Sequence, residues 1–235
     1  MSAVASSPVV LILGAGANVG AHVARAFAAK GYRVASTSRT FRDQETTSND
    51  GVELHLQSDL ANPESVAGIF AKVLDQLGPP SVVVYNAAAS TSSPPQDPLS
   101  VGVPALSRDL NINTVSAIAA AHEAVLAFEP LPARASRTFI YTGNGLNSAP
   151  MAPLLSLGVG KAATAHAIAS AAVAYREKGY RFYYADERTS DGSIVGRAID
   201  GSAHAEFYVQ LAERETQGPW LATFVKGKGY VEFQE

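Results

Sequence analysis

Apolar residues gather in short unbroken runs, separated by longer stretches in which they recur every three or four positions. Val9 to Leu13 (VVLIL) is unbroken, the pattern of a strand covered on both faces of a parallel sheet. A glycine turn follows, and His22 to Lys30 then carries apolar residues at helical spacing, with Gly31 placed to stop the helix. Tyr32 to Thr37 and Val52 to Gln57 read as the second and third strands. Asn62-Pro63-Glu64 predicts a helix start, with Asn as the cap, Pro in the first turn and Glu at the positive end of the dipole. That helix runs towards Leu77 and stops at Gly78-Pro79-Pro80; Ser81 to Tyr85 is the fourth strand. Ser90 to Pro104, rich in Ser and Pro, reads as a surface loop. Leu106 to Phe128 is a long helical stretch, Thr138 to Tyr141 the fifth strand, and Ser156 to Lys178 a second long helix rich in small residues. Arg181 to Ala185, a helix from Gly201 to Glu215 and a strand from Trp220 to Val225 complete the order.

Strands alternating with helices predict an α/β chain: one Rossmann-type domain over residues 9–235, a doubly wound parallel sheet of about seven strands with helices on both faces. No linker or internal repeat interrupts it, and 235 residues suit one large domain. Met1 to Pro8, small and polar, read as a frayed, disordered tail without the features of a secretion signal.

Composition mainly excludes. At 47% hydrophobic the chain can bury a large core, and its net charge of -3 argues against a nucleic acid partner. With no cysteine there are no disulfides, thiolate nucleophiles or thiolate metal sites, and no His, Asp and Glu cluster has metal-site spacing. No apolar run nears the roughly 20 residues that span a bilayer. The expectation is a soluble, cytoplasmic protein with a small-molecule substrate, no metal and no membrane partner.

The candidate chemistry starts at Gly14-Ala15-Gly16-Ala17-Asn18-Val19-Gly20, between a buried strand and a helix. Glycines there let the backbone turn tightly and approach a pyrophosphate, whose charge meets free N–H groups at the helix start. Ser38-Arg39 follows the second strand, and no Asp or Glu occurs between Tyr32 and Arg42. An acidic residue there would take the ribose hydroxyls of NAD, whereas an arginine accommodates the 2′-phosphate, so NADP is expected ahead of NAD.

Further matches follow in order: Asp59-Leu60 after the third strand, Asn86-Ala87-Ala88 after the fourth, Asn113 on the first long helix, and Lys161 on the second. With the glycine turn, they make the chain resemble the short-chain dehydrogenases/reductases over nearly its whole length. The resemblance implies that Gly14, Gly16, Ala17, Asn18, Val19, Gly20, Ser38, Arg39, Asp59, Leu60, Asn86, Ala87, Ala88 and Lys161 hold the cofactor. It implies a relay water near Asn113, and it makes Lys161 the lysine of the family's Tyr-x-x-x-Lys motif. It also implies that the two long helices pair across a two-fold axis, giving a homodimer or homotetramer.

The departures fall at the chemistry. In the family, the Tyr and Lys lie one helical turn apart, and the Lys helps lower the phenol pKa. Here the Tyr position is Leu157, and no Tyr occurs between Thr142 and Ala174. The substrate-holding serine is also changed: Thr142-Gly143-Asn144-Gly145 offers Thr142 and Asn144, with Ser148 and Ser156 less well placed. Asp186-Glu187 replaces the family's Pro-Gly, and Asn18 stands where the family often has a glycine, a place where Asn tolerates left-handed angles. Candidate catalytic residues are therefore Asn113, Thr142, Asn144 and Lys161. Candidate replacement acids are Asp186, Glu187, Tyr141, Tyr184, His204 and Lys161. Against these, Tyr141 and Tyr184 also read as packed strand aromatics, Asp186 to Arg188 as a solvated turn, and His166 and His204 as structural or exposed helix residues.

The expectation is an NADP-dependent oxidoreductase with an altered catalytic centre, acting on a small organic carbonyl or imine; an iminium, already positive, needs no proton donor. The alternatives are a non-redox isomerase or cyclase, or an NADP-binding pseudoenzyme.

Overall fold

A computed structural model describes residues 7–41, 44–48 and 51–233. Residues 1–6 of the expected tail lie outside the described residues. The strands are β1 (Val9–Leu13), β2 (Arg33–Ser38), β3 (Gln44–Ser48), β4 (Gly51–Gln57), β5 (Val82–Tyr85), β6 (Thr138–Thr142), β7 (Arg181–Arg188), β8 (Leu221–Val225) and β9 (Gly229–Tyr230). The helices are α1 (Val19–Ala29), α2 (Ser65–Leu77), α3 (Val103–Leu110), α4 (Ser116–Phe128), α5 (Leu155–Ala174) and α6 (Gly201–Glu213).

The strands form one sheet in the order β3-β4-β2-β1-β5-β6-β7-β8-β9. The seven from β4 to β8 pair in parallel, as the unbroken apolar runs predict, while β3 and β9 add antiparallel edges that the pattern did not foresee. Helices cover both faces. On one face Tyr85, Tyr141 and Tyr184 pack with residues of α2, α4 and α5; on the other Val10, Ile12 and Ile140 pack with residues of α1 and α6. The chain turns from β1 to β2 on one side and meets β5 on the other, so the carboxyl ends of β1 and β5 border a switch point, the place where doubly wound sheets bind ligands.

Several local expectations need correction. Asn62 does not cap α2, which starts at Ser65; instead its carbonyl accepts the Ser65 amide at 3.1 Å and its own amide donates to Asp59 O. The first long helix starts at Val103 and is interrupted by a π-turn over Asn111–Val115. The second ends at Ala174, with a separate short turn over Arg176–Lys178. β7 extends through Asp186 and Glu187, which are buried strand residues and not a solvated turn. The stretch Ala152–Ala174 is also long and apolar enough to cross a membrane by length and composition, contrary to the reading of apolar runs. Here it lies against the sheet, burying Ala165, Ile168 and Ala172 in the core.

Candidate active site

The glycine turn is fixed by close approach. Gly14 has φ +95°, and a Cβ there would lie 2.6 Å from the Ala87 nitrogen, so the β1 and β5 ends converge where no side chain fits. Asn86 Nδ2 donates to Gly14 O at 2.8 Å, and Thr37 O accepts the Ala15 amide at 2.8 Å, fastening the turn to both neighbouring strands. At Gly20 a Cβ would meet Ala15 Cα at 2.6 Å, which lets α1 begin directly behind the turn. The first amides of α1 have no intrahelical acceptor, and that end of the helix favours negative charge.

Beside the turn runs a cleft of about 450 Å³, bordered by Gly14–Gly16, Thr37–Arg39, Ser58–Ala61 and Asn86–Ala89. It brings together Gly14, Gly16, Ser38, Arg39, Asp59, Leu60, Asn86, Ala87 and Ala88. Ala17, Asn18, Val19 and Gly20 lie at the start of α1 and do not border it. Its shape fits a dinucleotide: Gly16 has open space where a Cβ would stand, and Arg39 is exposed at the edge beyond β2. Asn18 needs no left-handed backbone, since its φ is -90°. Its side chain instead reaches the segment after β7, donating to Ile199 O at 2.9 Å and accepting from Gly201 N at 3.0 Å.

A second cavity of about 530 Å³ shares Asn86 and Ala88 with the cleft. Leu146, Met151, Leu154, Leu157, Ile194, Val195 and Ile199 make it largely apolar, and Thr142, Asn144, Lys161, Glu187 and Arg197 supply its polar points. Leu157 and Lys161 lie one turn apart on α5, and both border the cavity.

Lys161 is 3% exposed. Its Nζ donates to Thr142 O at 2.6 Å and sits 4.4 Å from the Tyr141 ring centroid. Burial lowers its pKa to about 7, opposed by the charge of Asp186. Asp186 is fully buried: Oδ2 accepts from Arg188 Nε at 2.6 Å and Oδ1 has no hydrogen-bond partner among the described residues. Burial raises its pKa to about 6, against the lowering by Arg188 and Lys161.

The remaining candidates divide. Thr142 Oγ1 accepts from Tyr208 at 2.8 Å, an α6 contact the sequence did not reveal, because a buried helix tyrosine reads as core. Asn144 Oδ1 accepts the Leu146 amide at 3.1 Å and so caps a short turn. Asn113 does not border the cavity: its Nδ2 donates to Ala89 O at 2.7 Å, its Oδ1 accepts from Ala89 N at 2.9 Å, and its carbonyl takes the Tyr141 and Thr164 hydroxyls. It staples the loop after β5 to the helices, and both its side chain and its carbonyl are engaged within the protein.

Tyr184 donates to Asn144 O at 2.7 Å, and burial raises the pKa of Tyr141, Tyr184 and Tyr208 well above the ordinary phenol value. They are packed aromatics. His204 is buried on α6 with its pKa lowered to about 4 by burial, and Glu187 Oε2 accepts the Asp200 amide at 2.8 Å. His166 is exposed.

Ser156 is buried away from the cavity and donates to Asp109 Oδ2 at 2.8 Å. Asp109, also missed in the sequence, is fully buried; burial works to raise its pKa, but hydrogen bonds from Arg108, Ser156 and Thr91 outweigh it and hold it below the usual carboxylate value. Among the described residues no group of His, Cys, Asp and Glu could hold a metal ion.

A dinucleotide turn at a sheet switch point, opening into a cavity at the carboxyl ends of β6 and β7, is the arrangement of a nucleotide-dependent α/β enzyme. A family profile described as Enoyl-(Acyl carrier protein) reductase matches residues 14–186. A short chain dehydrogenase/reductase of Cryptosporiopsis sp. (strain 8999) is 51% identical over 239 residues, covering 97% of this chain and 96% of the relative. The chain belongs to the short-chain dehydrogenase/reductase family of oxidoreductases.

Solved structures agree in fold. A 3-oxoacyl-[acyl-carrier protein] reductase from Brucella melitensis has a TM-score of 0.74 at 19% identity, over 88% of this chain and 89% of that one. A metagenomic short-chain oxidoreductase in complex with NADP has a TM-score of 0.73 at 18% identity, over 93% and 97%. The Brucella melitensis reductase in complex with NAD has a TM-score of 0.74 at 20% identity, over 88% and 90%.

Proposed function

We propose that this chain is an NADP-dependent oxidoreductase with an altered catalytic centre, reducing a small organic carbonyl or imine. The observation that carries this reading is the cavity beside the cleft, where Lys161 stands one helical turn from Leu157 and, among the described residues, no tyrosine borders the space. The phenols nearest to it, of Tyr141, Tyr184 and Tyr208, are engaged by Asn113 O, Asn144 O and Thr142 Oγ1. Ser38 and Arg39 at the cleft edge support NADP, since a guanidinium binds a 2′-phosphate with charge-assisted hydrogen bonds.

A nicotinamide cofactor held in the cleft would supply the hydride. The chain's own residues do the rest. The positive end of α1, directly behind the glycine turn, favours the pyrophosphate charge, Asn86 and Ala88 border the passage from cleft to cavity, and the aliphatic walls hold an apolar substrate and exclude water. Thr142 and Asn144 provide polar contacts for the reacting group.

The test measures NADPH and NADH binding, then NADPH consumption across a panel of carbonyl compounds and imines. Tighter binding of NADPH and turnover of at least one class is the expected result. Tight NADPH binding without turnover of any panel member would reject it.

The same reading includes self-association. Val115, Ile118 and Leu126 on or next to α4, and Val159 and Val173 on α5, are exposed apolar side chains that suit pairing of these helices between copies. Light scattering coupled to size exclusion is expected to give a dimer or tetramer mass; a monomer mass rejects this.

A further inference from the structure

Lys161 borders the cavity with its ammonium bound to Thr142 O, and a second buried charge lies on the same face of the sheet. Side chains alternate along β7: Tyr184 packs against Tyr141 with ring centroids 5.5 Å apart on the α5 face, Ala185 lies in the core of the opposite face, and Asp186 returns to the Tyr184 side. Sheet register pairs Thr142 with Ala185, so Asp186 stands one residue further along the neighbouring strand, on the face that α5 covers and within electrostatic reach of Lys161. Asp186 therefore shares the buried space beneath α5 with Lys161. One of its oxygens is held by Arg188 and the other has no hydrogen-bond partner among the described residues.

We propose, resting on the reductase reading above, that Lys161 is the proton donor of this cavity and that Asp186 is the positioning residue that keeps it protonated at neutral pH. A buried ammonium with no carboxylate near it sheds its proton, and a carboxylate close by opposes that loss. Arg188 in turn keeps Asp186 ionised against the cost of burial. The other groups packed around Lys161 do not take this role. Tyr141 and Tyr184 are held as neutral phenols that donate to backbone carbonyls. Glu187 and His204 lie towards α6, where Glu187 is tied to the Asp200 amide, and Tyr208 donates to Thr142.

The step balances without a tyrosine. As the carbonyl carbon takes the hydride, the C=O π pair moves onto oxygen, and that oxygen takes a proton from Lys161 Nζ. The carbonyl is reduced to an alcohol, the nicotinamide is oxidised, and Lys161 is left as a neutral amine. After product departure, solvent entering the cavity returns the proton. The donor is present below the Lys161 pKa, so kcat/KM falls as pH rises through it.

The experiment pairs lysine and carboxyl side-chain NMR titrations of the cofactor-free protein with pH profiles of kcat/KM. In Asp186→Asn, Lys161 is expected to titrate about one unit lower. The alkaline fall in kcat/KM should move with it, while the rate at low pH is retained. In Lys161→Met, the Asp186 carboxyl should titrate higher by a matching amount, because the coupling is reciprocal. This second titration decides the matter if Asp186→Asn does not fold. Unmoved titrations in the paired variants overturn the coupling. An unmoved pH profile with a uniform loss of rate, or a profile moved instead by Glu187→Gln, overturns the assigned roles. Shifted titrations without NADPH consumption would reject the reductase reading and Lys161 as its donor, while leaving the Lys161–Asp186 coupling established.

Discussion

The side-chain oxygen of Asn18 accepts the Gly201 amide at 3.0 Å, which fastens the glycine turn directly to the start of α6. The same side chain donates to Ile199 O, and Ile199 lines the apolar cavity. The residue that departs from the family's glycine thus connects the glycine turn with the segment that borders the apolar cavity.

Asn18→Gly keeps the turn but removes both bonds, each worth about 1 kcal/mol. The expected loss is about 1–2 kcal/mol of stability, read by denaturant unfolding. Gly201→Ala should cost more, because its Cβ would stand 2.4 Å from Asn18 Oδ1. Part of that cost should vanish in the double variant, so the two changes are non-additive.

Arg39→Ala should weaken NADPH binding by about 10–100-fold, the weight of charge-assisted hydrogen bonds of roughly 1.5–3 kcal/mol. NADH, lacking the 2′-phosphate, should bind almost as before. Calorimetric titration with both cofactors checks the difference, and equal losses for the two would contradict the role of Arg39.

Leu157→Phe narrows the cavity without touching the cleft. KM for the carbonyl substrate should rise by about tenfold, in line with an overpacking cost of about 1–3 kcal/mol. The dissociation constant of NADPH, measured by its fluorescence on binding, should stay unchanged.

His204 makes stability depend on acid. Burial holds its pKa near about 4, below its unfolded value of about 6.5, so the unfolded chain takes a proton that the folded state refuses. That penalty is absent above the unfolded value and grows as pH falls towards the folded one. Denaturant unfolding should show about 2 kcal/mol of it between pH 7 and pH 5, and His204→Gln should flatten this part of the profile.

Much of the scaffold was legible in sequence because its signals are local. VVLIL at β1 and VVVY at β5 are buried on both faces, and unbroken apolar runs report that directly. The Gly14–Gly20 turn carries its geometry in its glycines. β3 has no such signal: Gln44–Ser48 is polar, and its pairing with β4 is a tertiary event. Asp186 and Glu187 look like a solvated turn when read locally, and only the assembled sheet puts them inside. Asn113 was found, but its side chain points into a backbone staple with Ala89 instead of the cavity, an orientation set by the π-turn and the close approach of Gly160. Tyr208 and Asp109 act through contacts distant in sequence, which no local pattern encodes.

Transfer of deuterium from NADPH that carries deuterium at both C4 positions of the reduced nicotinamide is the most direct measurement. With an accepted carbonyl or imine, the product should gain one deuterium by mass spectrometry, and Lys161→Met should suppress its formation from the carbonyl at neutral pH. Product formed without deuterium, or undiminished carbonyl turnover by Lys161→Met, would contradict reduction in this cavity with Lys161 as the acid.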